Sequence, residues 1–191
     1  MRVYQLERKT KETEIKVELN IDGSGKSDIK TPIGFLNHML ELWSFHGKID
    51  LTVNAKGDTD VDYHHLIEDI GIVIGMAING ALAERRGIRR YGFASIPMDE
   101  ALSFVTLDLG GRSYLIYNVP FRGYIKDINI EVFEEFFKAL VSNAKMILHI
   151  NVLYGKDLHH IVESIFKAFA KAFKEAITVE DSSIPSTKGV I

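Results

Sequence analysis

The chain of 191 residues contains no cysteine. That excludes a disulfide framework, a thiolate metal ligand and a thiol nucleophile. It also lacks any excess of positive charge. With 23 Lys and Arg against 26 Asp and Glu, the net charge is −3, which provides no basic field for nucleic acid. Basic residues do cluster locally at Arg85, Arg86, Arg89 and Arg90. No apolar run reads as long and clean enough to span a membrane, and Met1-Arg2-Val3-Tyr4 does not open a secretory signal. The metalloprotease patterns His-Glu-x-x-His and His-x-x-Glu-His are absent as well. Hydrophobic residues make up 46% and charged residues 26% of the chain, as in ordinary globular domains. The expectation is a soluble, cytoplasmic protein that binds neither nucleic acid nor membrane.

What the sequence does contain is a repeated cassette. His64-His65 is followed by Glu68, and His159-His160 by Glu163, 95 residues further on. On a helix, positions i and i+4 share a face, so His64 acts with Glu68 and His65 also approaches the Glu68 side. Adjacent helical residues diverge by about 100°, so a His-His pair suits two different ions better than joint chelation of one. Imidazole nitrogen with carboxylate oxygen suits Mn, Fe, Co, Ni or Zn. One His-His pair is most often a solvated or capping pair. Two copies with the same Glu offset, in a chain with seven histidines, point instead to a metal site with more than one ion.

The periodicity around the cassettes is duplicated too. Ile15, Val17, Leu19 and Ile21 alternate as a half-buried strand, and Asp22-Gly23-Ser24-Gly25 reads as a turn. Phe35 to Phe45 has helical spacing, Ile49 to Ala55 alternates again, and a helix apolar almost all round runs from about Tyr63 to Ala83, with Gly87 as its stop. In the second half, strands are expected over Ser103 to Leu109 and Tyr114 to Val119, and a helix over Val132 to Ala144. Met146 to Val152 alternates with His149 on the opposite face, and a helix follows from Leu158 to Ile177. Each half runs strand, helix, strand, cassette, helix. This predicts an α+β fold made by tandem duplication, with sheet on one side and helices on the other. The halves are 1–90 and 91–183, and the polar segment 184–191 is a tail.

Other residues could carry chemistry. His38, in an apolar helix, and His149 are further metal candidates, because the two cassettes supply six groups and two six-coordinate ions need more. His46, before Gly47, reads as a helix C-terminal residue. Arg90, Arg112, Lys167 and Lys188 are cations for an anionic substrate. Arg112 follows Gly110-Gly111, where backbone can approach closely, and a guanidinium fork suits phosphate. Ser186 with Lys188 could also hold phosphate. Glu12, by its sequence context, is a surface residue.

Taken together, these motifs resemble the imidazoleglycerol-phosphate dehydratase family. The resemblance runs from about Arg8 to the C-terminus through Arg8-Lys9-Thr10-Lys11-Glu12-Thr13, Gly34-Phe35-Leu36-Asn37-His38-Met39-Leu40, both cassettes, Pro97-Met98-Asp99-Glu100-Ala101, Leu148-His149-Ile150 and Pro185-Ser186-Thr187-Lys188-Gly189. It implies two similar halves, each a four-stranded sheet with helices on one face. It also implies a shell of 24 subunits with sites between subunits, and two Mn ions per site. The implied ligands are His38, His64, His65, Glu68, His149, His159, His160 and Glu163. The implied phosphate contacts are Arg90, Arg112, Lys167, Ser186 and Lys188, with Glu12 as acid/base. The length matches the form without a fused phosphatase.

The implied reaction is dehydration of D-erythro-imidazoleglycerol phosphate to imidazole acetol phosphate in histidine biosynthesis. The proton lost has no carbonyl beside it, so its acidity is low. Two Lewis-acidic ions on the ring nitrogens would hold the ring as imidazolate and let it expel the neighbouring hydroxyl. The alternative reading is a dinuclear metal-dependent phosphoester hydrolase, which would release phosphate. A non-catalytic metal-dependent assembly protein would turn over neither. The chain departs from the family at Pro32 and Asn37, where Gly and Asp are usual, so the groups that tune His38 differ. Leu42 replaces a usual Gln, which removes the basis for one polar substrate contact. The family's Ser-Gly-Arg-Pro appears as Gly110-Gly111-Arg112-Ser113, which keeps the arginine.

Overall fold

A computed structural model describes residues 1–191. The first half runs β1 (Val3–Lys9), β2 (Thr13–Asn20), β3 (Ser27–Lys30), α1 (Gly34–Gly47), β4 (Asp50–Gly57) and α2 (His64–Leu82). The second repeats that order with β5 (Tyr91–Met98), β6 (Ala101–Asp108), β7 (Tyr114–Asn118), α3 (Val132–Ala144), β10 (Ile147–Tyr154) and α4 (Leu158–Ala176). A small hairpin, β8 (Tyr124–Ile125) and β9 (Ile128–Asn129), is inserted before α3. The strand orders are β1-β2-β4-β3 and β5-β6-β10-β7. In each sheet one neighbouring pair is parallel, β3 with β4 and β7 with β10, and a helix makes the crossover that a parallel pair needs.

Alternation decides which face is covered. Ile15, Val17 and Leu19 of β2 and Leu51 and Val53 of β4 are fully or almost fully buried, while Lys16, Glu18, Thr52 and Asn54 between them are exposed. Leu148 and Ile150 are buried on β10, and His149 points away from them. Helices α1 and α2 lie on the first sheet and α3 and α4 on the second, with α1 against α4 and α2 against α3. The helices therefore fill the space between the sheets. Phe133, Phe136, Phe137, Phe166, Phe169 and Phe173 pack there with Trp43. The Phe137–Phe166 ring centroids are 5.2 Å apart and those of Trp43 and Phe169 are 5.6 Å apart. Where α2 meets α3, side chains would keep the backbones apart. A Cβ on Gly71 would lie 2.5 Å from the Phe136 carbonyl oxygen, and one on Gly75 2.5 Å from that of Leu140.

The duplicated α+β fold agrees with the sequence reading, as do the helices and the strands β2, β4, β6, β7 and β10, within a few residues at their ends. Five strands escape alternation analysis, and two of them, β8 and β9, have only two residues each. Strands β1 and β5 are edge strands with many exposed residues, β5 carries Gly92 and Pro97, and β3 has four residues. Gly87 is not the stop of α2, which ends at Leu82 with Ala83 at φ 45°. Instead Gly87 sits at φ 69° in a linker that pairs with the segment after α4, through Gly87 N–H to the Ser183 carbonyl and Arg89 N–H to that of Thr178. The reading that no run is long and apolar enough to span a membrane also needs correcting. By length and composition α2 could cross a bilayer, with mean hydropathy 1.4, but it is 61% buried as a core helix between the first sheet and α3.

Candidate metal centre

Each cassette begins at a helix N-terminus, where backbone N–H groups lack helical partners. An aspartate two residues before the first histidine meets that need. Asp62 Oδ1 accepts the His64 N–H at 2.7 Å, and Asp157 Oδ1 accepts the His159 N–H at 2.8 Å. The repeat is thus Asp-x-His-His-x-x-Glu, and its aspartate was legible in the sequence as a capping residue.

Within each cassette the first histidine faces its own glutamate. The separations are 3.5 Å for His64 Nε2–Glu68 Oε2 and 3.2 Å for His159 Nε2–Glu163 Oε2. The second histidine turns away, with ring planes 84° apart in the first cassette and 79° in the second. The expectation that His65 approaches Glu68 is therefore overturned. His65 Nδ1 lies 3.0 Å from Asp58 Oδ2, and His160 Nδ1 lies 2.8 Å from Glu100 Oε2. Both contacts raise the proton affinity of the ring, with the carboxylate hydrogen bond as the largest cause in each case. Each leaves Nε2 as the nitrogen available to another ligand, the arrangement by which a carboxylate orients a metal-binding imidazole. Glu100 also accepts the N–H groups of Lys156 and Asp157. These bonds, the Asp157 N–H first and the His160 ring next, hold its carboxyl down at about 2.

His38 comes from α1 in the first half, yet it sits at the second cassette because α1 packs on α4. His38, His159 and Glu163 place their ligand atoms within 4.8 Å of one another, with His38 Nε2 3.7 Å from Glu163 Oε2. Glu163 is 6% exposed. Two imidazoles and a buried carboxylate converging in this way fit a divalent ion of the Mn-to-Zn series. Lys167 Nζ approaches the other Glu163 oxygen at 2.5 Å and Met98 Sδ at 3.2 Å. His64 and Glu68 form only a pair. His149 joins no cluster with either cassette and lies on the outer face of the second sheet in a cleft with Tyr91, Thr106 and Asp108. One chain thus brings together three of the eight residues expected as ligands.

The anion-binding candidates divide in the same way. Arg90, at φ 72°, forks onto Asp108 at 2.6 and 3.0 Å and donates to the Pro185 carbonyl at 2.9 Å. This brings the tail beside it. Arg112 and Lys188 are exposed, and Ser186 Oγ accepts the Lys188 N–H at 3.3 Å. Lys167 touches Met98 at the far end of β5 from Arg90. A strand of that length spans roughly 23 Å, so Arg90 and Lys167 cannot hold one phosphate within a chain.

Glu12 is exposed, but its turn is fixed. Thr10 Oγ1 accepts the N–H groups of Glu12 and Thr13, and the Glu12 carbonyl accepts the Asp58 N–H at 3.1 Å. Thr13 Oγ1 donates to Asp69 Oδ2, which also pairs with Arg8. Glu12 is thereby anchored beside the carboxylate that orients His65. Sequence reasoning gave no role to Asp58, Asp69, Asp99 or Glu100, although Asp99 and Glu100 stand in one of the family motifs. Asp99 is held at φ 45°, its Oδ2 3.7 Å from His160 Nε2. The Asn37 side chain hydrogen-bonds to Thr31 and not to His38. It closes the preceding loop, accepting from Thr31 Oγ1 at 2.6 Å and donating to the Thr31 carbonyl at 3.1 Å. Leu42 packs half-buried against the core.

Fold and site together define a duplicated α+β protein with a histidine–carboxylate centre built at paired helix N-termini. The imidazoleglycerol-phosphate dehydratase family model matches residues 31–173. A dehydratase of that name from Thermodesulfovibrio yellowstonii is 63% identical over the full length of both chains, and one from Clostridioides difficile is 55% identical, again over the full length of both. The crystal structure of the Staphylococcus aureus enzyme superposes with a TM-score of 0.84 at 39% identity, covering 93% of this chain and 99% of that one. The Pyrococcus furiosus structure gives 0.86 at 36%, covering 97% and 100%. The chain belongs to the imidazoleglycerol-phosphate dehydratase family.

Proposed function

We propose that this protein removes water from D-erythro-imidazoleglycerol phosphate to give imidazole acetol phosphate, the dehydration step of histidine biosynthesis. It does so in the cytoplasm with two Mn ions per site, in a shell of 24 chains with the sites between subunits. The observation that carries this reading is the duplicated, carboxylate-oriented cassette. His38, His159 and Glu163 converge on one point, while His65 and His160 present Nε2 away from their own glutamates. Donors turned outward, and Arg90 and Lys167 at opposite ends of β5, support a site completed by neighbouring chains. On this reading 1–90 and 91–183 are the two halves, and the tail 184–191 reaches the shared site.

His38, His64, His65, Glu68, His149, His159, His160 and Glu163 would hold the metal ions. When bound, these supply Lewis acidity toward the imidazole ring nitrogens of the substrate. The residues of the chain do the rest. Asp58 and Glu100 fix the rings of His65 and His160. Arg90, Arg112, Lys167, Ser186 and Lys188 bind the phosphate, which stays on the product. The Glu12 carboxylate, on its anchored turn, takes the proton from carbon. Loss of that proton and of the neighbouring hydroxyl leaves an enol, which tautomerises to the ketone.

The test is to incubate the purified protein with imidazoleglycerol phosphate, with and without Mn, and to follow both ketone and free phosphate. Mn-dependent ketone without phosphate release is expected. Release of phosphate would establish a hydrolase instead, and metal-driven assembly without either product would leave an assembly role.

A further inference from the structure

Arg85 is 4% exposed and has no carboxylate partner. Its guanidinium donates to the Asn79 side chain at 2.7 Å, to the carbonyls of Ala144 and Lys145 at 2.8 Å each, and to the Leu109 carbonyl at 2.9 Å. It therefore joins the last turn of α2, the C-terminus of α3 and the end of β6. Burial disfavours its charge, with only the field of Asp108 opposing that effect. The backbone of Arg85 is itself left-handed, at φ 57°.

Leu109 is where this knot meets the anion-binding candidates. Its N–H donates to the Arg90 carbonyl at 3.0 Å while its carbonyl accepts from Arg85, so Arg85 and Arg90 grip one residue from two sides. The turn Gly110-Gly111-Arg112 follows directly. A Cβ on Gly110 would lie 2.4 Å from Arg90 Nη2, whereas one on Gly111, at φ 78°, would lie 3.1 Å from Ile191 Cγ2, with Arg85 Nη1 at an ordinary 3.9 Å. Gly110 lets the backbone pass close to the Arg90 guanidinium, and Gly111, in the left-handed region, turns the chain into exposed Arg112. The charge of Arg90 is balanced by Asp108. That of Arg85 has no carboxylate on it, in a setting of low dielectric where charges act over longer distances. A neutral amide could cap carbonyls at a smaller desolvation cost.

We infer that Arg85 is a positioning residue for the phosphate end of the site: it fixes the Leu109–Arg112 turn so that Arg90 and Arg112 face the anion, and adds buried positive charge beneath them. This rests on the assignment of Arg90 and Arg112 to the substrate phosphate.

The test compares Arg85→Met, Arg85→Lys and Arg112→Ala in the assembled, Mn-loaded enzyme, at a temperature where each is folded. It reads KM, kcat and the competitive inhibition constant of glycerol 3-phosphate. Loss of binding shared by ground and transition states raises KM and leaves kcat nearly unchanged. Arg85→Met is expected to raise KM and the inhibition constant about tenfold with kcat within about threefold, a split that general loosening of the fold does not produce. Both constants unchanged in a folded Arg85→Met overturn the positioning role if Arg112→Ala raises them. If Arg112→Ala leaves them unchanged, the phosphate assignment falls and Arg85's role with it. Should Arg85→Met not fold, Arg85→Lys decides. Its three donors cannot meet four acceptors, so both constants should rise about threefold, and unchanged values overturn the proposal.

Discussion

Lys167 Nζ lies 2.5 Å from Glu163 Oε1, one helical turn along α4, whereas the equivalent position after Glu68 is Ile72. The two cassettes are alike in their histidines and unlike in what neutralises their glutamates. A cation on a ligating carboxylate opposes a second cation there.

Lys167→Gln should therefore tighten Mn binding at the second cassette by about three- to tenfold. The same change should raise KM by removing a phosphate contact. Titration of metal-free protein with Mn, read by electron paramagnetic resonance, tests the first effect. Unchanged or weaker binding would mean that Lys167 does not compete for Glu163.

With His65 and His160 as metal ligands, as proposed, proton and metal compete for their rings. Their carboxylate partners raise both pKa values above the ordinary 6.5. The stabilisation these pairs give to metal-free protein is therefore full below pH 6.5 and fades as pH rises through the raised values. Mn affinity must run the other way, strengthening over the same window as the rings lose their protons. Asp58→Asn should move the metal-binding curve of the first cassette toward lower pH. Melting temperatures of metal-free protein and Mn affinities between pH 6 and 9 provide the check, and flat curves for both count against this account.

Glu12→Gln keeps the shape of the side chain and removes its basicity. It should lower kcat by about 10²- to 10⁴-fold, the usual worth of a positioned acid/base, with metal content unchanged. Near-normal turnover would exclude Glu12 as the proton acceptor.

Gly75→Ala places a methyl against the Leu140 carbonyl, where the backbones of α2 and α3 meet. Overpacking of this kind costs about 1–3 kcal/mol. A lower denaturation midpoint is expected, while Ala at the exposed Gly34, where a Cβ would meet nothing within 4 Å, leaves the midpoint nearly in place. Equal midpoints for the two variants would show that the α2–α3 contact yields easily.

The parts of this architecture that obey a local period were legible in the sequence. Ile15, Val17 and Leu19 announce β2, and His64 with Glu68 announces a helical face. Strand β1 was hidden because hardly any of its residues is buried, and β5 because it turns Gly92 and Ala94 inward and Tyr91 and Phe93 outward, so its hydrophobicity does not mark its buried face. The aspartates and glutamates that orient the cassettes were hidden for a different reason. Asp58 meets His65 across the loop between β4 and α2, and Glu100 reaches His160 over sixty residues. No spacing rule links such pairs. That His38 belongs with the second cassette follows only from the packing of α1 on α4.

That last contact bears on how the two repeats can exist apart. The trio takes His38 from one repeat and His159 and Glu163 from the other, so neither repeat alone keeps it. Two separate repeats would recover it only by associating as α1 and α4 do here, with an occupancy that falls on dilution. Joining them through the linker that contains Gly87 turns that bimolecular encounter into an intramolecular one with a fixed effective concentration. The trio then no longer depends on how much protein is present, and under the proposed assembly only the donors turned outward would still answer to concentration.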